Sequence, residues 1–378
     1  KMTTFTFLYA VNFKASKITI LGGGNMGSAL AVKFSQKYNV CLYINSPKSI
    51  YYSKHMVLFN EEENTQIYGE ICEITESLEV AIKGAEWIFI TFPSFMFDNF
   101  SKRLITLLSK KQHLVFIPGS GAAELFFKEV LEKGCTITGL QRVHSVTRVV
   151  EPGKLVRESG VRKSIRVASI PQSFNNEACY AISCLFDLPV DPLENYLNIT
   201  LINSNPILHT SRLFSIFKDY PQISDYSSLP LFYEQWDLES SLLLEKMDSE
   251  LFSIIDALKQ HGIPVNNITS ILQHYDSINA TEMTQKLNSI NSLKGLQTPA
   301  VRKANGKYIP DFQSRYFTAD FPLGLDVLLS FASILNIQCP NMKMVSDWYH
   351  TSTNAVVRFS LNSFGINNID KLKEFYSQ

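Results

Sequence analysis

Two groups of residues in this chain have the types and spacing that chemistry requires. The first is the run Gly22-Gly23-Gly24-Asn25-Met26-Gly27, in which Gly22, Gly24 and Gly27 fit G-x-G-x-x-G. In that pattern the first glycine permits a tight turn off a strand, the second lets the backbone approach a pyrophosphate, and the third lets helix and strand pack closely. A helix starting there would offer unpaired N–H groups and a partial positive charge to phosphates, so Asn25 and Met26 join the glycines as candidate cofactor contacts. The second group is His209, within Asn205-Pro206-Ile207-Leu208-His209-Thr210, with Arg315 and Asp320 from Arg315-Tyr316-Phe317-Thr318-Ala319-Asp320-Phe321-Pro322. A histidine, an arginine and an aspartate form a candidate reaction centre. Each also has a plain structural reading: a satisfied core histidine, a surface ion-pair partner, and a helix cap placed ahead of Pro322.

The elements around these residues decide how much weight they carry. Lys17 to Leu21 is a short β-branched apolar run, Ser28 to Tyr38 has helical spacing, and Val40 to Ile44 reads as a second strand. The glycine loop therefore opens a strand–turn–helix–strand unit, the context that makes the motif specific for a dinucleotide. Trp87 to Phe92 and Leu114 to Ile117 are continuous apolar runs suited to a parallel sheet covered on both faces. Asp98 to Lys110 and Ala122 to Gly134 read as helices, and Thr136 to Thr138 and Ile165 to Ile170 as further strands. After about Pro192 helical patterns take over: Tyr233 to His261, Pro322 to Asn336 and Asn341 to Asn354. The expected fold class is α/β, with an N-terminal Rossmann doubly wound parallel sheet over 1–195 followed by a mostly α-helical domain over 196–378.

The end of the second strand bears on the cofactor. NAD-binding proteins usually place an acidic residue there, on the ribose hydroxyls. This chain has Asn45, followed by Ser46, Pro47 and Lys48. No carboxylate would repel a 2′-phosphate; Asn45 and Ser46 could bond one and Lys48 could neutralise it. NADP is thus preferred over NAD, with a neutral turn that accepts either as the alternative. Pro93, just past the Trp87 to Phe92 run, is placed on the cofactor side. Pro118-Gly119-Ser120-Gly121 either passes the nicotinamide end or is a plain turn.

Composition excludes several classes. Of 378 residues, 45% are hydrophobic and 19% charged, with a formal net charge of zero, so no basic field exists to attract nucleic acid or an anionic membrane. The six cysteines include no CxxC pair or ligand-like cluster with histidine, which argues against a metal site or disulfide scaffold and favours a reducing cytoplasm. Apolar runs such as Trp87 to Phe92 fall short of a membrane span. Phe5 to Phe13 reads as an irregular lead-in rather than a signal peptide. The acidic run Glu61 to Glu63 reads as a solvated face. A homodimer stays open, because pattern alone does not separate core faces from interface faces.

The chain resembles the octopine/nopaline (opine) dehydrogenase family over most of its length from Lys17 onward. The residues that carry the resemblance are the glycine loop, the segment at 205–209 and the segment at 315–322. The two later motifs are its specific part. Phe232-Tyr233-Glu234-Gln235-Trp236-Asp237 is also similar to a segment of bacterial relatives, which places Trp236 on the substrate side. The resemblance implies NAD(P)H-dependent reductive condensation of an α-keto acid with the amine of an amino acid. It implies that His209, Arg315 and Asp320 are catalytic. His209 would donate or accept the proton, Asp320 would fix the imidazole tautomer, and Arg315 would clamp the keto-acid carboxylate. The chain departs from the family at Ala319, where an acid is usual, and at Thr210, where proline is frequent. An approximate alignment sets Gln141 where animal octopine enzymes carry a Glu that holds a basic amino donor; a neutral Gln would not favour an arginine-like donor. His144, between Arg142 and Arg148, sits where a substrate loop would lie. Two alternatives stay open: a simple 2-keto acid reductase similar to ketopantoate reductase, and a non-catalytic dinucleotide-binding protein.

Overall fold

The computed structural model describes residues 14, 15, 17–45 and 47–378. The lead-in Phe5 to Phe13 and Ser46 lie outside the described residues, as does the side chain of Lys48. The chain divides into two compact units. One holds the chain up to Phe92 together with Lys102–Pro118 and Glu129–Pro192; the other holds Pro93–Ser101, Gly119–Lys128 and Leu193–Gln378. The main break thus falls at Pro192, and two short segments expected within 1–195 pack with the helical unit instead.

The first unit contains strands β1 (Ile18–Leu21), β2 (Val40–Tyr43), β3 (His55–Asn60), β4 (Thr65–Glu70), β5 (Glu73–Thr75), β6 (Trp87–Ile90), β7 (His113–Phe116), β8 (Thr136–Leu140), β9 (Val146–Glu151), β10 (Leu155–Ser159), β11 (Ile165–Ile170) and β12 (Val190–Pro192). Eight of them form one sheet in the order β12-β11-β8-β7-β6-β1-β2-β5. Its pairings are parallel except for the antiparallel pair of β8 with β11. β1, β2 and β6 are buried along their whole length, as continuous apolar runs in a covered parallel sheet require. The helix Asn25–Ser35 follows β1 and buries Leu30, Val32 and Phe34 in the common core with Ile20, Leu42 and Phe89.

A second sheet, β4-β3-β10-β9, was not anticipated from the sequence. Its strands alternate weakly, with β3 burying only Met56 and Leu58 and β4 largely exposed, so they lack the apolar runs that betray the main sheet. Glu61 to Glu63 form the exposed turn between β3 and β4, where Asn60 Oδ1 accepts the backbone N–H groups of Glu62 and Glu63.

The second unit is helical. Its longest helix, Leu238–Gln260, buries Leu244, Met247, Leu251, Ile254, Ile255 and Leu258 on one face. The sequence spacing had suggested a start at Tyr233. The helix begins later because the Asp237 carboxylate accepts the Ser240 N–H at 2.7 Å, an N-cap that leaves Tyr233 to Trp236 in a preceding turn. The helix expected over Ala122 to Gly134 is also broken. It is two single turns, Ala123–Phe126 and Glu129–Glu132, and the first belongs to the helical unit. Its anchor is Glu124, which is fully buried and accepts hydroxyl hydrogen bonds from Thr200 and Tyr376, each at 2.6 Å. Arg315–Leu335 is the one described helical stretch long and apolar enough to cross a membrane. Its most apolar window is 56% buried within the protein, as a core segment would be.

Candidate active site

The glycine loop has the geometry its sequence implies. Gly22 has φ of +115°, and a Cβ there would lie 2.9 Å from Thr91 Oγ1. A Cβ on Gly27 would fall 1.8 Å from the Gly22 carbonyl oxygen, so helix and strand can meet only over a hydrogen atom. Gly24 differs: a Cβ there would meet no atom of the described residues within 4 Å. No described residue requires glycine at this position, so its smallness leaves open space beside the loop. The helix Asn25–Ser35 begins at Gly24 with no side-chain cap and no acidic residue in its first turn. Its leading N–H groups and positive dipole end are thus left for an anion. The Tyr52 hydroxyl clamps the loop by donating to the Gly23 carbonyl at 2.5 Å. These residues fit a bound pyrophosphate.

The remaining predicted cofactor residues are less uniform. Asn25 commits its side chain to the protein, its Oδ1 accepting the Val149 N–H at 2.8 Å, so only its backbone is available to a ligand. Met26 is half-buried and packs against the core. Asn45 is exposed at the end of β2 and its Oδ1 accepts the Tyr43 hydroxyl at 3.1 Å, which leaves its amide N–H groups outward. The Ser49 hydroxyl nearby donates to the Glu76 carboxylate. Pro93 opens the segment 93–101, which belongs to the helical unit.

In the helical unit the two later motifs come together. His209 lies on the helix Ser204–Phe217, whose buried face includes Leu208, Leu213 and Phe217. Asp320 ends the turn that follows Arg315–Thr318. Asp320 does not cap the next turn with its side chain; its Oδ2 instead lies 2.7 Å from His209 Nδ1. The cap reading therefore fails and the pairing stands. Pro322 in the first turn of Phe321–Leu325 has no N–H to be satisfied, which helps to free the carboxylate. Tyr316 packs against the imidazole with ring centres 4.6 Å apart. Arg315 is exposed and forms no ion pair among the described residues, so its surface ion-pair reading also fails. It is close enough to Tyr233 to favour charge on that phenol.

Two functional-site residues escaped the sequence reading. The Tyr233 hydroxyl lies 2.7 Å from His209 Nε2, on the side of the ring opposite Asp320. Tyr233 is 6% exposed, and burial pushes its phenol well above the ordinary value. Arg212, one turn beyond His209, is fully buried and holds the loop that carries Tyr233. It donates to the carbonyls of Phe232 at 3.0 Å and Gln235 at 2.6 Å, and to Asp237 Oδ2 at 2.6 Å. The available signal was the i, i+3 spacing of His209 and Arg212 on one helix; nothing local linked either to a loop twenty-odd positions away.

Trp236 and His144 are corrected as substrate contacts. Trp236 is 3% exposed, stacks on Tyr233 at 6.2 Å and donates its indole N–H to Ser241, so it supports the loop from within. His144 is fully buried, its Nε2 3.1 Å from Glu158 Oε1. Burial holds its imidazole below the usual value. Glu158 also receives Lys33 and Ser145, and its carboxyl is held down at about 2. The cluster is a core network of the first unit. Gln141 is buried where β8 ends and its backbone N–H donates to the Arg166 carbonyl at 2.9 Å; that main-chain bond does not decide the role of its side-chain amide.

Comparison with known proteins agrees with both units. A family model described as NAD/NADP octopine/nopaline dehydrogenase, alpha-helical domain, matches residues 192–353. A second, described as NAD-dependent glycerol-3-phosphate dehydrogenase N-terminus, matches residues 17–149. The chain is 24% identical to tauropine dehydrogenase of Arabella iricolor, over 88% of this chain and 90% of that one. It is also 24% identical to octopine dehydrogenase of Mizuhopecten yessoensis, over 88% of each chain. A solved octopine dehydrogenase with NADH and L-arginine superposes with a TM-score of 0.82 at 18% identity, covering 94% of this chain and 97% of that one. A dinucleotide-binding α/β unit joined to a helical unit with a His–Asp pair defines a two-unit nicotinamide-dependent dehydrogenase. The helical unit matches the octopine/nopaline dehydrogenase family model, and the chain as a whole is similar to opine dehydrogenases along most of its length.

Proposed function

We propose that this chain condenses an α-keto acid with the amine of an amino acid and reduces the resulting imine, with His209 as the acid–base group. The observation that carries the assignment is the 2.7 Å contact of His209 Nδ1 with Asp320. An ionised carboxylate only accepts, so it fixes the Nδ1–H tautomer and stabilises the imidazolium that forms when Nε2 takes a proton. Arg315, exposed and without an ion pair among the described residues, offers a two-pronged donor set to the keto-acid carboxylate. Gly22, Gly24, Gly27 and the N-terminus of Asn25–Ser35 would hold the dinucleotide, which supplies the hydride when bound. His209 is the base on which the proton of the donor ammonium ends, freeing the nitrogen for attack, and the acid from which a proton reaches the departing hydroxyl as water leaves. NADP is the preferred cofactor, because β2 ends on neutral Asn45 rather than on a carboxylate.

The test is NADPH and NADH oxidation against a matrix of keto acids, with and without each amino acid. Turnover should require both partners. His209→Ala should leave cofactor affinity within about twofold and lower turnover by on the order of a hundredfold or more. Full turnover in that variant overturns the site assignment, and turnover with keto acid alone overturns the condensation.

A further inference from the structure

His209 has both ring nitrogens occupied. Nδ1 faces Asp320 and Nε2 faces the Tyr233 hydroxyl, each at 2.7 Å. Because the carboxylate is acceptor-only, Nδ1 carries the hydrogen in the neutral ring and Nε2 is the acceptor. The phenol must then point its O–H at Nε2. When the ring is protonated, both nitrogens are donors, and the Tyr233 oxygen becomes the acceptor with its own hydrogen turned elsewhere. The direction of this hydrogen bond therefore reverses with the charge on His209. In the arrangement seen, neither imidazole nitrogen is open to a substrate atom.

We propose that Tyr233 is the group that exchanges the proton with substrate, relaying it to and from His209 Nε2. The inference rests on the opine reading of the site. In the amine-activation step, a substrate N–H proton passes to the Tyr233 oxygen while the phenolic hydrogen passes to Nε2. One proton has left the ammonium, the imidazole is charged, and the tyrosine is again a neutral phenol. In the dehydration step the movement reverses: Nε2–H returns to the phenol oxygen, the phenolic hydrogen goes to the hydroxyl of the carbinolamine, and water departs. No phenolate forms at any stage. That agrees with the surroundings of Tyr233, where burial, Tyr316, Tyr275 and Asp320 all oppose a negative oxygen and Arg315 alone favours it. The scaffold is set for such a relay. Trp236 stacks on the Tyr233 ring with planes 16° apart, and Arg212 fixes the carbonyls on either side of Tyr233.

Tyr233→Phe keeps the ring and its stacking and removes only the oxygen. The expected result is kcat lowered by about tenfold or more with KM for NAD(P)H within twofold. In mixtures of H2O and D2O the wild-type rate should follow a bowed curve, as two protons in flight require, and the variant a straight line. A variant with kcat within twofold of wild type overturns the relay, as does a straight line in both proteins. If no pair of keto acid and amine turns over in the wild type, the opine reading fails, and the relay is then read without catalysis. The 13Cζ resonance of Tyr233 should shift in step with the His209 imidazole titration and stay short of a phenolate value. A resonance that does not move overturns it.

Discussion

Gly324 and Pro206 are in close approach: a Cβ built on Gly324 would lie 3.0 Å from Pro206 Cγ and 3.1 Å from Pro206 Cβ. Pro206 lies in the first turn of the helix that carries His209, and Gly324 lies in the turn that follows Asp320. The same contact that packs one segment on the other therefore sets the His209–Asp320 distance. Gly324→Ala should open it by a few tenths of an ångström, because the proline ring cannot rotate aside. Stability should fall by about 1–2 kcal/mol in denaturant titration, and kcat should fall while cofactor affinity in the first unit holds. An unchanged kcat would show that the His209–Asp320 geometry is set elsewhere.

Asp320→Asn tests the carboxylate itself. The amide keeps the shape but carries no charge to offset the imidazolium, and it can present N–H to Nδ1 and so select the wrong tautomer. Turnover should drop on the order of a thousandfold, with the thermal midpoint little changed. A loss below tenfold would demote Asp320 from orienting His209 to packing beside it.

Asn45→Asp addresses the cofactor. A carboxylate at the end of β2 would repel a 2′-phosphate and could accept from ribose hydroxyls. The NADPH-to-NADH preference should move toward NADH by about tenfold, equivalent to 1.4 kcal/mol. The Glu76 carboxylate, held by Ser49 at the same edge, gives a control. Glu76→Gln should move the preference the other way. No shift in the Asn45 variant would mean that this strand end does not read the cofactor.

Glu124 makes the helical unit sensitive to pH. Burial pushes its carboxyl from the ordinary 4.5 up to about 7, and its Oε2 has no partner among the described residues. A folded-state value raised above the unfolded one means that the folded protein binds the extra proton. The stabilisation is complete below about 4.5 and is lost as pH rises through about 7, then stays constant. At roughly 1.4 kcal/mol per unit the loss is at most about 3.5 kcal/mol. Glu124→Gln keeps an oxygen to accept from Thr200 and Tyr376 and cannot ionise. Its thermal midpoint should exceed that of the wild type at pH 8 and the gap should close at pH 5; a constant gap would remove the titration from the account.

How much of this was legible in the sequence depended on the range of the interactions. Gly22, Gly24 and Gly27 were readable because all their constraints are local: a strand before, a helix after. The sheet strands were readable where burial on both faces made them uniformly apolar. β3, β4, β9 and β10 were not, since short strands with one wet face carry little pattern. His209, Arg315 and Asp320 could be named from their motifs, but spacing could not show that Asp320 turns to His209 instead of capping its own turn. Tyr233 was hidden because the spacing made it the start of a helix that Asp237 in fact begins. His144 misled for the opposite reason: flanking arginines suggested an open loop, while Glu158, a strand away, had drawn the ring into the core.

The segment 119–128 has a consequence for synthesis. Glu124 accepts hydrogen bonds from Thr200 and from Tyr376, the latter 252 positions later in the chain. On a ribosome, the first unit's strands could pair as they emerge, but this turn of helix would wait for Thr200 and then for Tyr376 before finding its partners. The hydrogen bonds of Glu124 are therefore completed only once the helix Ile369–Tyr376 has been made. A fragment beginning at Leu193 would lack Glu124 altogether. The two units share one chain so thoroughly that neither could be exchanged between relatives by a single cut.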